Sequence, residues 1–566
     1  MQGQIQLTYP SIDSVLIKQL RAPESIDDPN QINGVLSQWL TDTREQGYLT
    51  ASIDSIINLN NNTYQVDLYL GDIYLWNELL GGNVPENWLD KSGFRPKLYR
   101  NKRFDFQQIE QLKENILNTA ASEGYPFASV KVDQYQFENN TVSASLSIEL
   151  NQAVYWQDLD ILSDDPFSKE FLLNFLNIRL GQNFDSKKVG QVSNRLRELP
   201  FLSLNSPPKV QFTNQGARLQ LDIEKKKANR FDFILGFLPN NQQLGRLLLT
   251  GSFNGELQNA LNAGERIYVK FEQLRPETQF LRVEFNYPFV LNLPFGLDLM
   301  AELYRRDTTF LDVETNLGIK YLIGGNNYVK AFWNNRSSNL LAINEAQLLN
   351  NQSLPQQLDI SYPAFGLEGQ WEKLDYRFNP RKGWSSLVSF QAGTKRIRRN
   401  SRIEELELGF LYDSLNLRSA QYRLKADLAY FLPLFQTSTL KLGIRSALTF
   451  SDEPLLFNEH YRIGGNRLLR GFDEESIFAS QYIIGTLEYR LLIAQNSFLY
   501  AFGDYAWVRQ EFNNAENEFQ PYGFGAGISF ETSVGLFSVS VAAGGQQGIP
   551  IDLGRPKLHF GYLSRF

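Results

Sequence analysis

Cysteine is absent from the 566-residue sequence. Disulfides, thiolate nucleophiles and cysteine metal sites are thereby removed, while the compartment stays open, because oxidising compartments permit disulfides without requiring them. Histidine is scarce: His460 and His559 are the whole complement. Neither stands in a triad-like arrangement and the other nucleophile candidates are isolated serines, so no enzymatic activity, metal or cofactor is expected. Both histidines read as polar strand or loop residues. No run of about 20 apolar residues exists to cross a membrane as a helix, which excludes an α-helical membrane protein. It does not exclude a membrane β-barrel, whose strands hide apolar residues in alternation with polar ones. No long basic tract interrupts a chain of net charge −7, which argues against a nucleic-acid partner. Met1, Gln2, Gly3 and Gln4 do not begin a basic and apolar signal segment. If the chain is a membrane barrel, its signal peptide is expected to lie ahead of this sequence. What is plentiful is aromatic surface: 41 Phe, 26 Tyr and 8 Trp. That suits a wall that meets lipid, although a large soluble sandwich shares it.

An internal repeat organises the first 226 residues. Gly47-Tyr48-Leu49-Thr50-Ala51-Ser52-Ile53 recurs as Gly124-Tyr125-Pro126-Phe127-Ala128-Ser129-Val130. Each copy follows a helical pattern: Ile32, Leu36, Trp39 and Leu40 share one face before the first, and Ile109, Leu112, Ile116 and Ala120 before the second. Gly47 suits a left-handed helix end. Alternation follows in both, through Val66, Leu68 and Leu70, and through Val142, Ala144, Leu146 and Ile148, which marks strands with one buried face. The unit is expected to be helix, strand, turn and strand, closed across the sheet by the next short strand. A more divergent third copy has helical patterns at Phe171, Leu172, Phe175 and Leu176 and at Val189, Val192, Leu196 and Leu199. The expected domains are 1–75, 76–151 and 152–226. Such a modular arm either presents strand edges to another chain or is a spacer.

From Asn229 the texture changes to alternating segments joined as hairpins. Leu281, Val283, Phe285 and Tyr287 take one face while Arg282, Glu284 and Asn286 take the other; Leu424, Ala426 and Leu428 oppose Arg423, Lys425 and Asp427. Apolar outside and charged inside suits lipid around a wet lumen. A soluble two-layer sheet with one wet face gives the same alternation locally. Quantity favours the barrel: sixteen plausible antiparallel strands fill 227–566, an even number that closes the sheet and removes the edges lipid would leave unsatisfied. Turns at Leu291 to Gly296 and at Asn379 to Gly383 are short; connections near 338–355, 397–418 and 451–480 are long and polar.

The third long connection contains Gly464-Gly465-Asn466-Arg467-Leu468-Leu469-Arg470-Gly471-Phe472. Flanking glycines let the backbone turn tightly while an arginine is presented. On the strands that follow, Glu488 lies in the row Thr486, Glu488, Arg490 and Asp504 in the row Phe502, Asp504, Ala506. If both rows face the lumen, two carboxylates come within reach of Arg470, whose guanidinium engages several acceptors at once where a lysine cannot. The alternative is an ordinary surface arginine in a polar loop.

At these residues the sequence resembles the Omp85 superfamily of outer-membrane assembly factors and translocases. Leu469, Arg470, Gly471 and Phe472 match its lumenal-loop motif. Phe502, Gly503, Asp504, Tyr505 and Ala506 match its strand motif, with Ala506 where glycine is usual, a departure that bears on local packing. Gly523, Gly525, Gly527 and the terminal Phe566 look like the family, and five strands remain after the arginine motif, as in a 16-stranded member. The repeated arm resembles POTRA domains; three of them make the chain most like TamA, with BamA next. The resemblance implies that Arg470 contacts Glu488 and Asp504 and that the protein sits in a Gram-negative outer membrane with its arm in the periplasm. It implies as partners the membrane's lipids, unfolded outer-membrane proteins as substrates, and an inner-membrane or lipoprotein partner on the arm.

The first strand, with Phe231, Phe233 and Leu235, must meet the last, with Leu558, Phe560, Gly561 and Phe566, to close the barrel. Gly561 breaks side-chain packing in mid-strand and Ser564 is polar in the outward row, so this lateral seam is expected to be weak. Strand ends of many barrels look similar, and Gly561 equally makes room for the Arg470 loop. Insertion of outer-membrane or autotransporter-type proteins through the seam is the leading expectation. Polypeptide secretion through the lumen and lipid transport between membranes are the alternatives.

Overall fold

The computed structural model describes residues 5–60, 63–239, 247–275, 278–306, 309–377, 379–466, 468–512, 515–532, 535–546, 548 and 556–564. The chain divides into two compact units. One comprises 1–160, 179–191 and 209–220, the other 161–178, 192–208 and 221–566.

The first unit contains two complete α/β modules. In one, helix Ile32–Glu45 buries Ile32, Leu36 and Trp39, and the Trp39 indole N–H donates to the Leu20 carbonyl at 2.9 Å. In the other, helix Phe106–Ser122 starts where the Asp105 carboxylate accepts from the N–H groups of Gln107 and Gln108, and it buries Ile109, Leu112, Ile116 and Ala120. The expectation that a following strand closes each sheet is corrected. Ile5–Thr8 pairs in parallel with Thr63–Tyr69, and Leu75–Leu80 in parallel with Thr141–Glu149, so the closing strand precedes the helices. Parallel neighbours require a long crossover, here supplied by the helices. Leu75–Leu80 buries only Trp76 and Leu79, without alternation, and so carried little signal.

The second unit is dominated by one antiparallel sheet whose 17 strands are hydrogen-bonded in chain order, from Arg230–Pro239 to Lys557–Ser564. Sixteen strands were expected. The extra segment arises because Ala515–Phe519 and Pro521–Thr532 pair with successive stretches of the same neighbour, Ser497–Phe512. Proline has no N–H to give the ladder, and Pro521 stands at the break. Counted as one pass, these two segments give the described residues sixteen passes of the sheet.

The two faces of this sheet have opposite chemistry. On strand Phe310–Gly324, Leu317, Ile319, Tyr321 and Ile323 are exposed, while Asp312 and Asn316 are buried. Inside, Arg266 and Arg282 both bind Glu284, and Lys320 and Lys330 both bind Asp298. Exposed aliphatic and aromatic rows around paired charges invert the soluble pattern and define a lipid-facing barrel. Among the described residues no helix is long and apolar enough to cross a membrane. The first and last strands approach within 8 Å between Cα atoms. Among the described residues no backbone ladder joins them, although every other consecutive pair of wall strands is laddered.

Candidate functional site: the lumenal arginine lock

Period-2 alternation puts Thr486, Glu488 and Arg490 on the inner face of Gln481–Ala494, and Phe502, Asp504 and Ala506 on the inner face of Ser497–Phe512. The strands pair with Thr486 opposite Asp504 and Glu488 opposite Phe502, so the two carboxylates are diagonal neighbours. Arg470 meets both. Its Nε and Nη2 donate to Oδ2 and Oδ1 of Asp504 at 2.8 Å each, and its Nη1 donates to Oε2 of Glu488 at 2.7 Å. The backbone N–H of Arg470 also donates to Asp504, at 3.2 Å. The guanidinium carbon lies 3.5 Å from the centre of the Phe502 ring, which adds a cation–π contact.

The ion pairs are dry: side-chain exposure is 11% for Arg470, 6% for Glu488 and 1% for Asp504. Buried charges survive only when their remaining hydrogen-bonding capacity is used. Here Thr486 Oγ1 donates to Asp504 at 2.8 Å, Arg490 Nε donates to Glu488 at 2.9 Å, and Arg490 Nη1 reaches Asn379 Oδ1 at 3.1 Å.

Glycines make room for the loop. Asp504 stands opposite Gly523 and Gly523 opposite Gly544, a level of the wall without side chains beyond the aspartate. A Cβ on Gly523 would fall on the Arg470 carbonyl, and one on Gly544 would lie 2.7 Å from the Gly471 carbonyl oxygen. Gly471 has φ +95°, and a side chain there would also press within 2.8 Å of the Ala543 backbone. Leu469 is fully buried beside Ala506, Ile484 and Tyr482, with Phe472 packed against the same cluster. Ala506 therefore fits, as part of the apolar seat of the loop.

The structure thus brings together Leu469, Arg470, Gly471, Phe472, Glu488, Phe502, Asp504 and Ala506. Thr486, Arg490, Asn379 and Gly544 were not singled out in the sequence; only the inward position of the first two, in the row of Glu488, hinted at them. His559 is a larger omission. It is buried, and its Nε2 accepts the Gly471 N–H at 3.2 Å, while Lys557 pairs with Asp473 at 2.7 Å. Both lie on the last strand, so the loop touches the seam. Of the seam residues, Phe231 and Leu558 are each 55% exposed. Phe233, Leu235, Phe560 and Gly561 are placed as backbone members of the two edge strands, and Phe566 lies outside the described residues, as does Arg467.

Fold and site define a class: a membrane β-barrel whose lumen holds an inserted loop anchored by a buried arginine. Residues 259–566 match the Omp85 superfamily domain, and the chain belongs to that superfamily. Its general role is accordingly outer-membrane protein insertion or two-partner secretion, in the outer membrane of Gram-negative bacteria. Among solved structures, CdiB from Escherichia coli is similar at 11% identity, covering 95% of this chain and 99% of its own, with a TM-score of 0.53. CdiB from Acinetobacter baumannii is similar at 13% identity, covering 97% and 98%, with a TM-score of 0.51. BamA from Haemophilus ducreyi lacking POTRA domains 1–3 aligns over 86% of this chain and 99% of its own at 13% identity, with a TM-score of 0.44. No curated protein matches the chain by sequence.

Proposed function

We propose that the protein inserts unfolded outer-membrane proteins into the bilayer through the seam between its first and last barrel strands, without covalent chemistry. The observation that supports this reading is the seam itself: among the described residues no ladder pairs the strand Arg230–Pro239 with the strand Lys557–Ser564, while each of these strands is laddered to its neighbour on the other side. Unpaired backbone groups at a strand edge are costly in lipid, and an incoming strand that adds to the edge satisfies them as it satisfies its own. Burial of the incoming strand's apolar face in lipid supplies the drive, so no nucleotide is needed. In this reading the modules of the arm stand in the periplasm, where they meet substrates and an inner-membrane or lipoprotein partner.

The native sequence has no cysteine, so a disulfide engineered between Phe233→Cys and Phe560→Cys has no competitor. Reversible loss of insertion of a barrel substrate into liposomes is the expected result. Undiminished insertion with the seam shown to be locked would refute the proposal. A second reading, secretion through the lumen, draws on a cavity of about 870 Å3 beside the lock, lined by Arg470, Glu488, Arg490 and Lys441. It requires that Arg470→Ala open an ion-conducting path, which bilayer conductance measures.

A further inference from the structure

The lock and the seam are joined by one titratable contact. Gly471 donates its backbone N–H to Nε2 of His559 at 3.2 Å, in a buried setting. A backbone N–H can only donate, so this nitrogen must carry a lone pair and the imidazole must be neutral. Protonation would set an N–H against an N–H and break the bond. An unperturbed imidazole changes charge near about pH 6.5.

The groups around the ring are Arg470, Asp473 and Glu474 from the loop and Lys557 from its own strand. Ser540 stands opposite it on the neighbouring strand. Burial disfavours the charged form of the ring, and two carboxylates and two cations face it, so protonation, when it comes, sets a charged N–H against the Gly471 N–H. His559 occupies the last strand, whose other edge is the seam, and Gly471 follows the arginine that holds the loop.

We propose that His559 is a positioning residue that couples the arginine lock to the seam: neutral, it holds the last strand to the loop, and protonated, it releases the strand. The coupling rests on the seam reading for its functional consequence but not for its geometry. Its sign follows from the bond. The link is present above the imidazole pKa and is lost as pH falls through it.

Hydrogen exchange of the peptide spanning 465–475 reads the contact directly in the full-length protein in liposomes. After correction for intrinsic exchange, acidification from about pH 7.5 to about pH 5.5 is expected to speed exchange on the order of fivefold, the worth of one hydrogen bond. His559→Gln, whose amide oxygen can accept but does not titrate, should be protected at both pH values. His559→Lys, which only donates, should exchange fast at both. Cross-linking of the Phe233→Cys and Phe560→Cys pair, taken at each pH relative to the same pair in His559→Gln so that thiolate ionisation cancels, should fall on acidification as the seam opens. An unchanged wild-type profile overturns the proposal even if no variant folds, and so does a His559→Gln profile that still follows pH. Should exchange and cross-linking follow pH while insertion does not, the coupling stands and the insertion reading falls. Should locking the seam block insertion while His559→Gln matches the wild type throughout, the coupling alone falls.

Discussion

Removing the guanidinium of Arg470 should free the lumenal loop while the barrel stays folded. The loop is held by three charge-assisted side-chain hydrogen bonds to two carboxylates, whereas the wall is held by continuous strand ladders that do not include it. In Arg470→Ala, Asp504 keeps the Thr486 hydroxyl and the loop's own N–H, and Glu488 keeps Arg490. Stripping one partner from a buried ion pair costs roughly 3–5 kcal/mol because a dry charge is left uncompensated. The lower figure applies here, since each carboxylate retains a donor. About 3 kcal/mol is about two orders of magnitude in the population of the released loop. Arg470→Lys should fall between, because one ammonium cannot span both acids. Limited proteolysis within 451–480 measures release, and heat-modifiable mobility on gels reports the intact barrel. Unchanged protease resistance in Arg470→Ala, with the barrel folded, would refute the argument that this residue anchors the loop.

Asp504→Asn and Glu488→Gln should each loosen the loop in the same assay, with the double variant less than additive because both share Arg470. Gly523→Ala should expel the loop with the ion pair chemically intact, since its Cβ takes the place of the Arg470 carbonyl; wild-type protease resistance would contradict that. The loop has a second anchor, where Glu459 is fully buried against Lys395 at 3.1 Å and Asn458 donates to Ser338 and to the Leu358 carbonyl. Glu459→Ala should leave Lys395 buried without its counter-charge, at roughly 3–5 kcal/mol, and expose the apolar cluster of Leu348, Leu358, Ile403 and Tyr412. Faster proteolysis near 341–359 and 398–417 is the expected readout, and unaltered cleavage there would count against this second anchor.

Local periodicity and chemistry were enough to define the barrel and half of its lock. Alternation alone grouped Glu488 with Thr486 and Arg490 and Asp504 with Phe502 and Ala506, because a strand's side chains have only two directions, and left open whether those rows face the lumen. The arginine flanked by glycines stood out because few other patterns set a large charge in so permissive a backbone. Register was not available from the sequence. That Asp504 faces Gly523 and Gly523 faces Gly544 is a property of three paired strands, and pairing depends on contacts between residues far apart in the chain. The closing strands of the modules were misplaced for the same reason, since parallel pairing joins segments separated by helices. His559 read as an unremarkable polar residue because its significance lies in Gly471, 88 positions away in the chain. Its sequence determined which side chains face water, lipid or lumen; only the folded sheet decided which of the inward ones meet, because distance across a barrel is set by strand order and register rather than by spacing along the chain.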